Sequence, residues 1–181
     1  MKENISIKNG EYWNDTSPMS EDKKLDVLEE MASGIGKIII EFNSLEETIH
    51  ELILHLSCSP GDYDDRVNVF LAEMMYGAKV TALTKLYGQV IEENGLTFQR
   101  ELVRLENRLR ECSKIRNQYA HANWGEISKF NYVKVKLSSQ KQGIEKKYRR
   151  FTSGVMQEDL NTITEVHAEI IHFDRTLDEA Y

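Results

Sequence analysis

The stretch from Phe98 to His121, FQRELVRLENRLRECSKIRNQYAH, decides the fold that we predict for this chain. Its apolar residues recur at steps of three and four, which is the period of one face of an α-helix. This apolar stripe comprises Phe98, Leu102, Leu105, Leu109, Cys112 and Ile115. The spacing predicts a long amphipathic helix that begins near Thr97 and continues to about Ala120.

The same period extends on both sides of this stretch. One long helix is predicted from Ser20 to about Cys58, and a second pattern from about Asp64 to Asn94 with a bend near Gly77. A last helix is predicted over about 156–179. The only two prolines are Pro18 and Pro60, so the commonest helix breaker is absent from residue 61 onward. Long helices are therefore permitted over most of the chain.

The period changes before the last helix. Residues 132–137 alternate between apolar and polar side chains, and a second strand is expected over 144–151 after Gln142-Gly143. We therefore predict one all-α domain over 20–181 with a β-hairpin, at about 129–151, inserted before its last helix. Residues 1–19 are expected to form a flexible N-terminal arm.

Length and composition agree with a globular protein. A chain of 181 residues buries enough surface to need no disulfide or structural metal. The two cysteines, Cys58 and Cys112, stand in unrelated contexts, which favours a reducing compartment. The first twenty residues lack the apolar run of a signal peptide, and no apolar stretch is long enough to span a membrane. These features predict a cytoplasmic protein without a membrane partner.

The net charge of −7 excludes a protein that coats nucleic acid over its whole surface, but it conceals a basic segment. Residues 129–150 hold eight lysines and arginines against one acid, Glu145. Aromatic side chains lie among them, as in surfaces that bind phosphates and unstacked bases. The candidate RNA-binding residues are Lys134, Lys136, Lys146, Lys147, Arg149 and Arg150. The alternative is a solvated hairpin whose lysines protect edge strands from aggregation.

Catalytic chemistry is indicated at the end of the third long helix. A step of four from Cys112 reaches Arg116, so a cation falls beside the apolar face, where a lone charge is costly. Asn117 and His121 follow it four residues apart, on one face of a continuing helix. Arginine offers forked donors to a phosphate, and histidine exchanges a proton near pH 7. RNA cleavage by its own 2′-hydroxyl needs these groups.

The string Arg116-Asn117-Gln118-Tyr119-Ala120-His121 resembles the motif of the HEPN superfamily, in which a polar residue follows an arginine and a histidine comes four to six positions after that arginine. The resemblance covers about residues 20–125 and the final helix, and the hairpin looks like an addition. It implies an antiparallel helical bundle in which two protomers join their motifs into a metal-independent endoribonuclease. Arg116, Asn117 and His121 would be its catalytic residues.

The resemblance also implies products and partners. Family products carry a 2′,3′-cyclic phosphate and a 5′-hydroxyl, and many members are toxins or defence effectors that act on RNA. Some are neutralised by an antitoxin protein encoded beside them, so RNA, a second copy and an antitoxin are the expected partners. Some family toxins are silenced by modification of a tyrosine two residues after the histidine. Asn123 stands there in this chain, so that regulation is not implied.

Two interpretations of these residues that do not involve catalysis remain open. Arg116 would form a buried ion pair with Glu41 or Glu46 of the first helix, and His121 would be an ordinary histidine at a helix C-terminus. Some HEPN-like domains serve only for dimerisation or for binding RNA or protein, which is the alternative function.

Two Glu-x-x-His motifs, Glu47 to His50 and Glu169 to His172, suggest the ligand pattern of di-iron helical bundles. Such ligands must project into the bundle. On a helical wheel Glu47, His50 and His172 lie away from the apolar faces of their helices. The histidines form no zinc pattern by their spacing, and phosphate-binding glycine loops are absent. The sequence therefore predicts neither a metal site nor a cofactor.

Overall fold

The fold is known from a computed structural model that describes residues 3–8, 11, 13, 16–58, 65–141 and 143–180. These described residues are 70% helical, with antiparallel packing of the helices and a β-hairpin before the last one. The helices described are α1 (Glu21–Ser57), α2 (Asp65–Ala72), α3 (Tyr76–Glu93), α4 (Gln99–Ala120) and α5 (Ser153–Asp178). The predicted helical fold with an inserted hairpin is confirmed.

The apolar stripes of the long helices form the core. In α1 they include Ile38, Phe42, Leu45 and Ile49, all inaccessible to solvent. In α4 every predicted stripe residue from Leu102 to Ile115 is buried. Burial raises the pKa of the Cys112 thiol to about 12, so it stays protonated and acts as a small apolar side chain.

The second helical pattern divides before Gly77. Helix α2 ends at Ala72, and Met75 has an extended backbone with φ −68° and ψ 151° before α3 begins at Tyr76. The break leaves Met75 exposed while the Tyr76 ring is buried against Phe42, with 4.6 Å between ring centroids. The Tyr76 hydroxyl donates to the Leu109 carbonyl at 3.0 Å. The expected bend is thus a full interruption, because Tyr76 is anchored in the core.

The hairpin belongs to a three-stranded antiparallel sheet of order β1-β3-β2, with β1 at Asn4–Ile7, β2 at Tyr132–Gln140 and β3 at Gly143–Arg150. Strand β1 lies within the segment that the sequence predicted as an arm. Ile5 and Ile7 are buried with Tyr132, and Trp13 and Tyr148 pack against them. The alternation of Asn4-Ile-Ser-Ile7 gives β1 one apolar face, which holds it on β3.

By their contacts the residues form two compact units. Unit 1 comprises Met1–Ile39 and Ile115–Leu160, and unit 2 comprises Ile40–Lys114 and Asn161–Tyr181. Helices α1, α4 and α5 each contribute one segment to either unit. In unit 1 a Cβ atom at Gly34 would lie 2.8 Å from the Met156 sulfur, so glycine permits the close approach of the Met156 side chain to α1 there.

Candidate active site

The end of α4 carries the three predicted catalytic residues. Ile115 and Tyr119 are buried, and this fixes the rotation of the last turns of the helix. With that rotation Arg116 is half-buried, as expected for a residue beside the apolar stripe, and Asn117 is exposed. The structure thus places the arginine at the margin of the core and the asparagine in solvent.

His121 stands just beyond the last helical residue, Ala120. Its backbone N–H donates to the Asn117 carbonyl at 3.1 Å, which continues the helical bonding by one residue. The imidazole is exposed to solvent. Asn117 and His121 therefore lie on one side of the helix end, as predicted, and both are accessible to solvent.

A buried polar network fixes this helix end. The Tyr119 hydroxyl donates to Asp159 of α5 at 2.6 Å, and the Arg149 guanidinium pairs with the same carboxylate at 2.9 Å. Burial and the bond to Asp159 raise the pKa of Tyr119 far above its usual range, so Tyr119 remains a donor. One carboxylate thus satisfies a phenol and a guanidinium that belong to different elements.

Aromatic packing surrounds the same network. The rings of Tyr119, Trp124 and Phe151 contact one another, with centroids 4.8 to 6.4 Å apart. The Trp124 indole N–H donates to the Tyr119 carbonyl at 2.9 Å, which satisfies one of the unpaired carbonyls at the helix end. Arg149 lies 5.6 Å from the Phe151 ring centroid and also donates to Gln118. Aromatic rings and polar groups thus hold the same helix turn.

The loop that follows His121 is tied to the sheet. The Asn123 N–H donates to the Lys134 carbonyl of β2 at 2.9 Å, and the Lys134 ammonium pairs with Glu126 at 2.9 Å. The backbone leaving His121 therefore has a fixed path. His121 stands between a helix end and a loop that are both anchored.

The predicted RNA-binding residues fall into two groups. Lys136, Lys146 and Lys147 are exposed, and Lys136 lies directly opposite Lys147 across β2 and β3. Like charges in such a pair repel each other. Lys147 also lies 3.7 Å from Glu145.

The second group, Lys134, Arg149 and Arg150, contacts other residues of the same chain. The Arg149 side chain is only 13% exposed and its charge is used by Asp159, so the structure removes it from the exposed basic surface. Arg150 is half-buried and donates to the Phe130 carbonyl at 3.3 Å, and Lys134 pairs with Glu126. We call Lys136, Lys146 and Lys147 the lysine cluster below.

The acids that were weighed as partners of Arg116 have other contacts. Glu46 pairs with Lys79 at 3.0 Å, and Glu41 lies 3.0 Å from Nδ1 of His167. Of the two Glu-x-x-His motifs, Glu169 contacts Arg108, and His50 lies 2.8 Å from the Asn68 side-chain oxygen.

Sequence reasoning missed the Tyr119, Asp159 and Arg149 network. Tyr119 follows Ile115 by four residues, so its place on the buried face was readable from the stripe. The partners of Tyr119 could not be predicted in the same way. Arg149 is one of a run of basic residues, and Asp159 lies only a few residues after the predicted start of the last helix. A buried tyrosine hydroxyl needs a hydrogen-bond acceptor, so the buried position of Tyr119 predicts that an acceptor lies beside it.

No helix among the described residues is long and apolar enough to cross a membrane. No family model, curated protein or solved structure matches the chain.

Proposed function

We propose that the protein is a metal-independent endoribonuclease of toxin or defence type that acts as a cytoplasmic homodimer. It cleaves RNA by attack of a 2′-hydroxyl on the adjacent phosphate and leaves a 2′,3′-cyclic phosphate. The observation that carries the proposal is the common position of Arg116, Asn117 and His121 at one anchored helix end, with the histidine exposed.

Each residue has a role in this reaction. A bond forms between the 2′-oxygen and phosphorus while the bond to the 5′-oxygen breaks. His121 takes the proton of the nucleophile or supplies one to the leaving oxygen. Arg116 stabilises the charge of the crowded phosphate, and its half-buried position strengthens that interaction relative to bulk water. Asn117 orients the substrate or the imidazole.

One histidine cannot act as base and acid in the same step. A second copy of the chain supplies a second His121, which is why the proposal includes a homodimer. The exposure of His121 and Asn117 supports this arrangement, because both side chains are accessible to a partner copy and to RNA.

The lysine cluster supports RNA as the substrate. Lys136 and Lys147 are exposed and lie directly opposite each other across β2 and β3, and cations on one face of a hairpin can bind the phosphates of a nucleic-acid backbone. Lys146 is also exposed, but as the neighbour of Lys147 in β3 it projects to the other face of the sheet. Binding through these lysines should weaken as the salt concentration rises, since each neutralised phosphate releases counterions. Arg149 is excluded from this role because Asp159 uses its charge.

The test is cleavage of total cellular RNA by the purified full chain in excess EDTA. We expect cleavage by the wild type, and losses of about 100-fold or more in His121→Ala and Arg116→Ala. His172→Ala removes an exposed histidine of α5, and Arg104→Ala removes an α4 arginine whose side chain is 73% exposed. Both matched controls should cleave at the wild-type rate.

The outcomes discriminate between the proposals. Cleavage that persists in His121→Ala and Arg116→Ala overturns the assigned site, and cleavage that requires a divalent ion overturns the mechanism. RNA binding without cleavage indicates the alternative, a non-catalytic RNA-binding or dimerisation module. Toxicity on expression that is relieved by His121→Ala would support a toxin, whose neighbouring gene is then the place to seek an antitoxin.

A further inference from the structure

Three side chains of types that ligate metal ions lie close together in unit 2. His55 stands in the last turn of α1, and Asp174 and Asp178 stand four residues apart near the end of α5. That spacing places both carboxylates on one face of the helix. One ligand atom from each residue lies within 4.8 Å of the other two.

The donor set fits a borderline-soft divalent ion. An imidazole nitrogen and two carboxylate oxygens bind Zn²⁺ at about 2.0 to 2.2 Å, which places neighbouring ligands of a tetrahedral site about 3.4 Å apart. Small rotations of exposed side chains close the remaining distance. We infer that His55, Asp174 and Asp178 bind one Zn²⁺ ion, with water as the fourth ligand.

The electrostatics of the C-terminal end of α5 favour a bound cation. Two carboxylates four residues apart on a helix repel each other, and the C-terminal end of a helix disfavours negative charge. A bound dication removes this penalty.

One ligand is oriented in advance. The Tyr87 hydroxyl of α3 donates to Asp174 Oδ1 at 2.9 Å. The Tyr87 ring is 1% exposed and lies edge-on against Phe173, with 5.3 Å between centroids, so the hydroxyl has a fixed position. Hydrogen bonds of this kind hold metal ligands in place. His55 and Asp178 are exposed, which gives the ion a path from solvent.

This site is independent of the proposed ribonuclease residues. An ion there would join the end of α1 to the end of α5 within unit 2, which is a stabilising role. Spacing in the sequence did not indicate it, because the two aspartates are more than a hundred residues away from His55. The metal-independent chemistry proposed for His121 and Arg116 is unaffected by it.

The test uses the full chain stripped of metal by a chelator and titrated with ZnCl₂ in a calorimeter. We expect one equivalent to bind, the thermal unfolding midpoint to rise, and Co²⁺ in place of Zn²⁺ to give visible absorption bands of a tetrahedral site. His55→Ala and Asp178→Asn should each weaken Zn²⁺ binding by at least about 10-fold. The control His172→Ala, also an exposed histidine, should bind like the wild type.

Circular dichroism of each metal-free variant checks that it is folded, and Asp178→Asn at an exposed position keeps the test available if His55→Ala fails to fold. The inference is overturned if the wild type binds no Zn²⁺. It is also overturned if both variants bind Zn²⁺ as tightly as the wild type.

Discussion

Two segments of helix α4 use charged residues in different ways. Over Gln99–Lys114 ion pairs form near the surface at Arg104, Arg108 and Arg110, such as Arg108 with Glu165 at 3.1 Å, where the glutamate side chain is 69% exposed. At Ile115–Ala120 the neighbouring charges are buried, since the side chains of Arg149 and Asp159 are 13% and 11% exposed. Water screens the first kind of pair and hardly reaches the second. The helix end that carries Arg116 and Asn117 is therefore held by buried charged groups that water cannot replace.

The largest effect should come from Asp159→Ala. It leaves the buried Arg149 guanidinium and the Tyr119 hydroxyl without their shared acceptor, and an uncompensated buried charge costs about 3 to 5 kcal/mol. Urea unfolding measures this loss in the free energy of unfolding. The isosteric Asp159→Asn should lose less, and a loss below 1 kcal/mol in Asp159→Ala would show that the network is not structural.

Tyr119→Phe should lower the free energy of unfolding by less than Asp159→Ala does. It deletes one hydroxyl that donates to a carboxylate and keeps the ring against Trp124 and Phe151. A hydrogen bond to a charged group contributes about 1.5 to 3 kcal/mol, and we expect a loss in that range. Tyr148→Phe is the matched control, because Tyr148 is only partly buried and lies on the sheet. Equal losses in both variants would contradict the special role of Tyr119.

Glu165→Ala tests the other segment of α4. The Arg108 ion pair lies near the surface and Arg108 keeps its contact with Glu169, so the loss should be at most about 1 kcal/mol. Raising the salt concentration should shrink this difference further. A loss as large as that of Asp159→Ala would remove the contrast between the two segments.

The smallest effect concerns Glu126. The hydrogen bond from Lys134 holds the pKa of Glu126 below its usual value in the folded protein. Its contribution is therefore present above the ordinary glutamate pKa and is lost as the pH falls through the lowered value. Both side chains reach solvent, which limits the contribution to about 0.5 kcal/mol. Unfolding curves of the wild type and Glu126→Gln should converge as the pH falls through the lowered pKa of Glu126, and a constant difference would contradict this linkage.

The long helices were predictable because their apolar stripes repeat over many turns, as the stripe from Leu102 to Ile115 does. Strand β1 was not predicted, since four residues with Ile5 and Ile7 give too short a pattern to separate from a loop. At the interruption, the Tyr76 hydroxyl donates to the Leu109 carbonyl, which is a tertiary contact that a local sequence pattern does not show. The local pattern alone therefore predicted a bend.

The relative position of the candidate catalytic residues was predictable for the same reason. Arg116, Asn117 and His121 are close in sequence, so helical geometry alone places them together. Arg149 forms hydrogen bonds with Asp159 and Gln118, which only folding brings close to it. A basic run in the sequence does not reveal which of its members are buried.

The most direct test of the proposed chemistry uses an RNA oligonucleotide that the wild type cleaves in EDTA, together with a copy that carries a single 2′-deoxynucleotide on the 5′ side of the cleaved bond. If the 2′-hydroxyl is the nucleophile, cleavage at that bond stops in the modified copy, and the unmodified product ends in a 2′,3′-cyclic phosphate. Continued cleavage at the 2′-deoxy position would contradict the mechanism assigned to Arg116, Asn117 and His121.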